Sequence, residues 1–346
     1  ESELADVWGQ LLGVDGLGRH DDFFALGGHS LIAVRLSAEV RKRFGVDLPL
    51  SALFEASTIE RLAKLLPEPQ AAESRGRVLQ ALRPFTPLVP IKPSGSARPL
   101  FCVAGQGGNP MHLRSLAQHL GAERPFYGLQ HRGLDGHSPP YASVEEMADD
   151  FVRHIRELTP GPYLIAGYSG GGTAAFEMAR QLLAAGCGVD GVILLDSFCP
   201  VEPELGMAWR LRLHLDGLRK EGPAYARRRI AARLSRYLRH ERSPVQQSRS
   251  MFEIAASNWQ AIENRYRPQP LAAAAYLFRV QSEDENDARY FAERYGGWNA
   301  LFRLSVQQHV VPGTHVSMCE EPNVQVLAQK LRAVLDDLDA TARAAQ

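Results

Sequence analysis

Cysteine is scarce in this 346-residue chain. The four present, Cys102, Cys187, Cys199 and Cys319, are scattered with no paired metal-ligand spacing. A disulfide framework and a thiolate metal centre are therefore excluded as organising features, and buried free thiols in a reducing cytosol are expected. Charge of one sign is also missing, since 39 Lys and Arg balance 39 Asp and Glu. A chain without net charge has no global attraction for nucleic acid or an anionic membrane, so neither is expected as a partner. No apolar run approaches the roughly 18 residues of a membrane span. The opening residues, Glu1 to Trp8, are too polar for a signal peptide and do not start with methionine, so a cytoplasmic chain is expected, a piece of a longer polypeptide or a trimmed smaller protein. What remains, 45% apolar and 23% charged, describes globular protein long enough for two domains.

The stretch that organises the chain is Leu164-Ile165-Ala166-Gly167-Tyr168-Ser169-Gly170-Gly171-Gly172. Tyr163 to Ala166 has the pattern of a short buried strand. Thr173 to Ala185 then carries Ala175, Phe176, Met178, Ala179, Leu182 and Leu183 at helical spacing, closed by Gly186. A strand that turns sharply into a helix at a serine flanked by glycines is the setting of a nucleophile elbow. The turn lifts the hydroxyl clear of the sheet, and glycine lets neighbouring backbone approach.

Residues 1–66 form a separate unit. Leu4, Val7, Trp8, Leu11 and Leu12 line a first helix ended by Gly13, Leu31 to Phe44 a second, and Thr58 to Leu66 a third. Ser30 stands at the start of the second helix. Its hydroxyl there could cap an unpaired backbone N–H, or could carry a phosphodiester favoured by the helix dipole. The run Asp22-Phe23-Phe24-Ala25-Leu26-Gly27-Gly28-His29-Ser30-Leu31 resembles the signature of peptidyl carrier domains from nonribosomal peptide synthetases, with polyketide acyl carriers a little further away. That resemblance implies Ser30 as the attachment point of a covalent 4′-phosphopantetheine arm, added by a phosphopantetheinyl transferase, with upstream synthetase modules in the same or a partner polypeptide.

Residues 67–87, polar and proline-bearing, read as a linker that tethers this unit to the next and favours delivery in cis. From residue 88 to about 340, strands at Leu88 to Ile91, Leu100 to Ala104, Phe126 to Leu129, Val192 to Asp196, Ala274 to Val280 and Leu304 to Val311 alternate with helical patterns. With the elbow strand among them, they predict a mostly parallel sheet covered on both faces, an α/β-hydrolase domain. In this fold the acid and then the histidine follow the serine in chain order. Asp196 ends the strand Val192-Ile193-Leu194-Leu195, with Glu283 or Asp284 as competitors after the next strand. Of eleven histidines, His315 stands in the loop after Val310-Val311-Pro312-Gly313-Thr314, where a ring can swing over the elbow; His309 and His131 are alternatives. The backbone N–H groups of Gly170 and of Gln106, in the loop Ala104-Gly105-Gln106-Gly107-Gly108, are the expected oxyanion donors.

Four stretches, Pro99 to Val103, Ala166 to Gly171, Leu194 to Ser197 and Pro312 to Met318, together resemble the type I thioesterase domain that ends a synthetase assembly line. The resemblance favours Asp196 as the acid. It implies that an acyl or peptidyl chain passes from the arm on Ser30 to Ser169 and is released by hydrolysis or macrocyclisation. Ala104-Gly105 departs from the His-Pro that many relatives carry before the glycines, which puts the second oxyanion donor in question but not the chemistry. An arginine-rich insertion at about 199–268 occupies the place of a helical lid, its basic face read as solvated surface. Two rivals stay open: a free-standing or editing esterase whose N-terminal bundle is only structural, and a non-catalytic carrier scaffold.

Overall fold

The computed structural model describes residues 1–28, 30–46, 48, 52–66, 85–134, 138–201, 219, 222, 223, 251–281 and 295–344. Its first part is helical. α1 (Ser2–Leu12) buries Leu4, Val7 and Trp8 on one face and stops where Gly13 turns left-handed at φ 69°. α2 (Ser30–Phe44) and the short α3 (Ala52–Glu55) follow. α4 (Ile59–Ala63) starts where the Thr58 hydroxyl accepts the Arg61 N–H. Ala33, Leu36 and Val40 of α2 join the α1 stripe and Phe23, Leu53, Ile59 and Leu62 in one apolar cluster. Two boundaries differ from the pattern in the sequence. Ser30 is the first helical residue rather than the one before the helix. The last helix ends at Ala63 because Leu65 and Leu66 donate to carbonyls three residues back, Leu62 and Ala63, which tightens the chain out of α-geometry. Residues 67–84, most of the expected linker, lie outside the described residues.

The second part is built on seven strands, β1 (Leu88–Lys92), β2 (Leu100–Val103), β3 (Phe126–Leu129), β4 (Tyr163–Tyr168), β5 (Val189–Leu195), β6 (Ala274–Val280) and β7 (Ser305–Val311). They form one sheet in the order β1-β3-β2-β4-β5-β6-β7. β1 is antiparallel at one edge and every other neighbour runs parallel, as the α/β-hydrolase expectation requires. Both faces are covered, which is why the central strands read as continuous apolar runs. Phe101, Val103, Ile165, Val192 and Leu194 pack on one side with α6 (Val144–Leu158), α7 (Gly171–Ala184), α8 (Met251–Glu263) and α9 (Trp298–Leu301). Leu100, Cys102, Leu164, Ala166, Ile193 and Leu195 pack on the other with α5 (Arg114–His119) and α10 (Asn323–Ala344).

β5 starts three residues earlier than its apolar run, since Val189 pairs with Tyr163 across a register shift and Asp190 is held at the sheet edge by Arg98. Most of the expected lid falls outside the described residues; α8, at its C-terminal end, is inside. Cys102, Cys187, Cys199 and Cys319 form no disulfide; Cys102, Cys199 and Cys319 are buried and Cys187 is half-buried. Among the described residues, no helix is long and apolar enough to cross a membrane and no cluster of His, Cys, Asp and Glu could hold a metal ion.

Candidate active site

β4 is buried along its whole length and hands the chain directly to α7. Between them Ser169 has φ 54°, in the left-handed region that side chains avoid. The conformation is held because the Ser169 N–H donates to Leu195 O at 2.9 Å on the neighbouring strand. Glycines make the tight passage possible. A Cβ on Gly167 would sit 2.3 Å from Gly171 O, and one on Gly171 would sit 2.5 Å from the carbonyls of Val103 and Ala104. Strand and helix therefore meet backbone to backbone, and the serine is left at the crest of the turn.

Asp196, just past β5, is the other non-glycine residue at positive φ among those described, at 47°. Its N–H donates to Phe278 O at 2.7 Å. His315 lies in the loop between β7 and α10. Its Nδ1 is 2.6 Å from Asp196 Oδ2 and its Nε2 is 2.9 Å from Ser169 Oγ. A carboxylate only accepts, so Nδ1 carries the hydrogen and Nε2 presents a lone pair to the serine hydroxyl. Asp196 is 1% exposed. Burial acts to raise its pKa, but bonds from His315, from the Tyr295 hydroxyl at 2.5 Å and from the Val280 N–H at 3.0 Å outweigh it and hold the carboxyl below its usual range. Neither alternative histidine joins this line. His309 is fixed in β7 with its ring stacked on Phe278 at 4.7 Å, and His131 is buried beside Trp259 at 5.4 Å. Glu283 and Asp284 lie outside the described residues.

The loop after β2 touches the elbow from the other side. A Cβ on Gly105 would be 3.2 Å from the Ser169 Cβ, and Gln106 Cγ is 3.2 Å from where a Cβ on Gly170 would lie. Among the described residues, neither the Gly170 nor the Gln106 N–H donates to a backbone carbonyl. The Gly105–Gln106 turn thus packs directly against Ser169 and Gly170.

Several residues support this site in roles that the sequence does not reveal. Tyr168 donates its hydroxyl to His315 O at 2.5 Å and stacks its ring on the imidazole at 5.2 Å, so it fixes both ends of the histidine. The ring of His112 meets Tyr168 at 4.5 Å. Trp259 of α8 presses on Gly170, its Nε1 2.4 Å from where a Cβ would be. Helix α8 and the turn after it are held to α7 by bonds from Tyr266 to Glu177, 2.8 Å, and from Thr173 to Glu263, 2.9 Å. Tyr295 reaches Asp196 from just ahead of α9. Tyr295→Phe removes a buried donor to a charged acceptor and is expected to lower stability at pH 7 by about 2 kcal/mol. The loss should shrink as pH falls through the titration of Asp196, because a protonated carboxyl needs the donor less. Urea midpoints at two pH values check it, and an unchanged midpoint at pH 7 would remove Tyr295 from the support of the carboxylate.

Buried histidines give a second pH effect. Burial pushes His112 and His131 each down to about 4; for His112 the bond to Asn109 O opposes this and nearby His315 adds to it. Unfolded, both take a proton near 6.5. Their burial in the neutral form therefore adds no pH-dependent cost above that pH, and stability is lost as pH falls from about 6.5 to 4, by about 3 kcal/mol for each histidine. Urea midpoints measured between pH 7.5 and 4.5 should fall steeply, and His131→Gln should flatten the slope. A profile equally steep in that variant would speak against the assignment.

Two families match the chain. The thioesterase domain family matches residues 98–335, and the family described as the phosphopantetheine attachment site matches residues 2–66. Malpibaldin synthetase of Mortierella alpina is 43% identical over 198 residues, 57% of this chain and 3% of that protein. Indigoidine synthase of Streptomyces lavendulae is 42% identical over 211 residues, 60% of this chain and 16% of that one. Chondramide synthase of Chondromyces crocatus is 29% identical over 364 positions, 98% of this chain and 9% of that one. The chain thus spans less than a fifth of the length of these relatives. Among solved structures, a four-domain nonribosomal peptide synthetase in its holo form, bound to AMP and glycine, aligns with TM-score 0.54 and 26% identity over 96% of this chain and 26% of that one. The NocB thioesterase domain of the nocardicin cluster shares the fold, with TM-score 0.52 and 22% identity over 72% of this chain and 98% of that one.

Proposed function

The chain belongs to the thioesterase domain family and carries a phosphopantetheine attachment domain ahead of that domain, and from this premise we propose that it is the off-loading end of a nonribosomal peptide or hybrid assembly line. The carrier occupies 1–66, the linker 67–87 and the thioesterase 88 to about 340. Ser30 is the attachment residue, and its position suits the role. It heads the 15-residue helix α2, whose first turn holds no acidic residue, so the unpaired N–H groups and the dipole there favour a phosphodiester. Attached there, the arm supplies a thiol on which an acyl or peptidyl group is held as a thioester. Its partners are a phosphopantetheinyl transferase and upstream synthetase modules.

The observation that carries the reading is the line from Ser169 Oγ through His315 to Asp196. His315 Nε2 takes the serine proton as Oγ bonds to the thioester carbonyl carbon, and the carbonyl electron pair moves onto oxygen. The N–H groups of Gly170 and Gln106 stabilise that oxyanion, while Asp196 stabilises the imidazolium. As the carbonyl reforms, the C–S bond breaks and the thiol leaves with the proton from Nε2. Ser169 now holds an oxyester. Water, or a nucleophile within the acyl chain, gives its proton to Nε2 and attacks; the C–O bond breaks and the proton returns to Ser169.

The match of residues 2–66 to an attachment site argues against a purely structural N-terminal bundle. The test is to load the chain from an acyl-coenzyme A with a phosphopantetheinyl transferase and follow its intact mass. The acyl mass should disappear while the free acid, or a product lighter than it by one water, appears. An acyl group that stays on the wild-type chain as long as on Ser169→Ala would sink the proposal.

A further inference from the structure

Directly after the loop that holds Gln106, a short 3-10 run, Pro110–Leu113, leads into α5, and two of the side chains here face the carrier. Met111 is 5% exposed and belongs to the apolar cluster of Leu4, Trp8, Phe23, Leu53 and Ile59, not to either cluster of its own sheet. The Arg114 guanidinium lies 4.0 Å from the centre of the Phe24 ring, and its Nη2 is 3.5 Å from Asp22 Oδ1. The carrier loop it meets is fixed in shape. Asp22 Oδ1 accepts the N–H groups of Phe24 at 2.9 Å and Ala25 at 3.0 Å, Oδ2 accepts the Ser57 hydroxyl at 2.5 Å, and Phe24 stands edge-on to Phe23 at 5.2 Å. That loop runs on through Leu26 and Gly27 to Ser30.

On the thioesterase side the same edge adjoins the catalytic imidazole. Met111 precedes His112, His112 packs on Tyr168, and Tyr168 stacks on and bonds to His315. The carrier therefore rests against the outer end of a packed column whose inner end is the proposed base.

We propose that Met111 and Arg114 form the docking face by which the thioesterase receives its own carrier, with Arg114 reading the Asp22–Phe24 loop by charge and by ring face at once. This rests on the reading of the carrier as the donor of the acyl group. Met111 supplies apolar contact without directional demands, and the planar guanidinium supplies register. Lysine could answer the carboxylate but would lose the guanidinium's contact with the Phe24 ring. The face is small, and it need not be large. A tethered partner is present at high effective concentration, so a weak contact is enough to populate the docked state and still release the carrier.

The test compares two rates in the full chain. One is single-turnover loss of an acyl group loaded on the carrier; the other is hydrolysis of a soluble acyl-pantetheine thioester, which needs no docking. Arg114→Glu sets like charge against Asp22 and is expected to slow release from the carrier on the order of 10-fold. Arg114→Lys and Met111→Ala should each slow it by about 2- to 4-fold. All three should hydrolyse the soluble thioester at the wild-type rate. Wild-type release from the carrier in all three variants overturns the proposal. So does a parallel fall in both rates, which would place these residues in the catalytic site instead. Failure of the wild-type chain on both substrates would count against the functional reading itself.

Discussion

Ser169→Ala is expected to lower hydrolysis of a soluble acyl-pantetheine thioester by roughly 10⁴- to 10⁶-fold, to the residue of activity that oxyanion donors and binding alone provide. The size follows from the geometry. With Oγ gone, His315 Nε2 has no serine proton to take and no oxyester can form, so the donors of Gly170 and Gln106 are left to act only on direct attack by water. Because the three groups act as one unit, His315→Ala should cost nearly as much, and the double variant little more than either alone. The fold should be retained, since the strain at φ 54° is carried by backbone bonds and not by the hydroxyl. Steady-state kcat of the two single variants and the double variant checks this. Multiplicative losses in the double variant would mean that Ser169 and His315 act on separate events.

Ser30→Ala is expected to abolish acceptance of the arm altogether while leaving hydrolysis of the soluble thioester unchanged. The loss is of kind and not of degree, because alanine offers no oxygen for the phosphodiester. Alanine is also the strongest helix former, and residue 30 is the first helical residue of α2, so the helix should not be weakened. Mass analysis after incubation with coenzyme A and a phosphopantetheinyl transferase should show one pantetheine per wild-type chain and none on the variant. Pantetheine on the variant, or a matching fall in soluble-thioester hydrolysis, would separate Ser30 from the carrier role.

The parts of this site that could be read in the sequence are those at strand ends. Ser169, Asp196 and His315 each stand where a strand gives way to a loop, and the end of a short apolar run marks such places without tertiary information. Gly105 and the elbow glycines announce themselves by composition. Tyr295 and Trp259 do not, since each reaches the centre from an element whose placement depends on packing: Tyr295 near α9, where Trp298 donates to Ser197 O at 2.9 Å, and Trp259 through the bonds that hold α8 to α7. Met111 shows the limit most plainly. Nothing in the pattern around it singles it out, and only the fold shows that the core it joins is that of the first domain. Helix and strand ends were displaced where local pairing outruns the hydrophobic pattern, as at Val189 against Tyr163.

The serine at the crest of the elbow is best tested by a fluorophosphonate that carries a pantetheine-like arm, with the adduct located by peptide mass and activity followed in the same samples. One adduct per chain should form on the peptide holding Ser169, in step with loss of thioesterase activity, and far more slowly in His315→Ala. An adduct on another residue that tracks the loss of activity, or full activity in a chain completely modified at Ser169, would show that the acyl group does not pass through this hydroxyl.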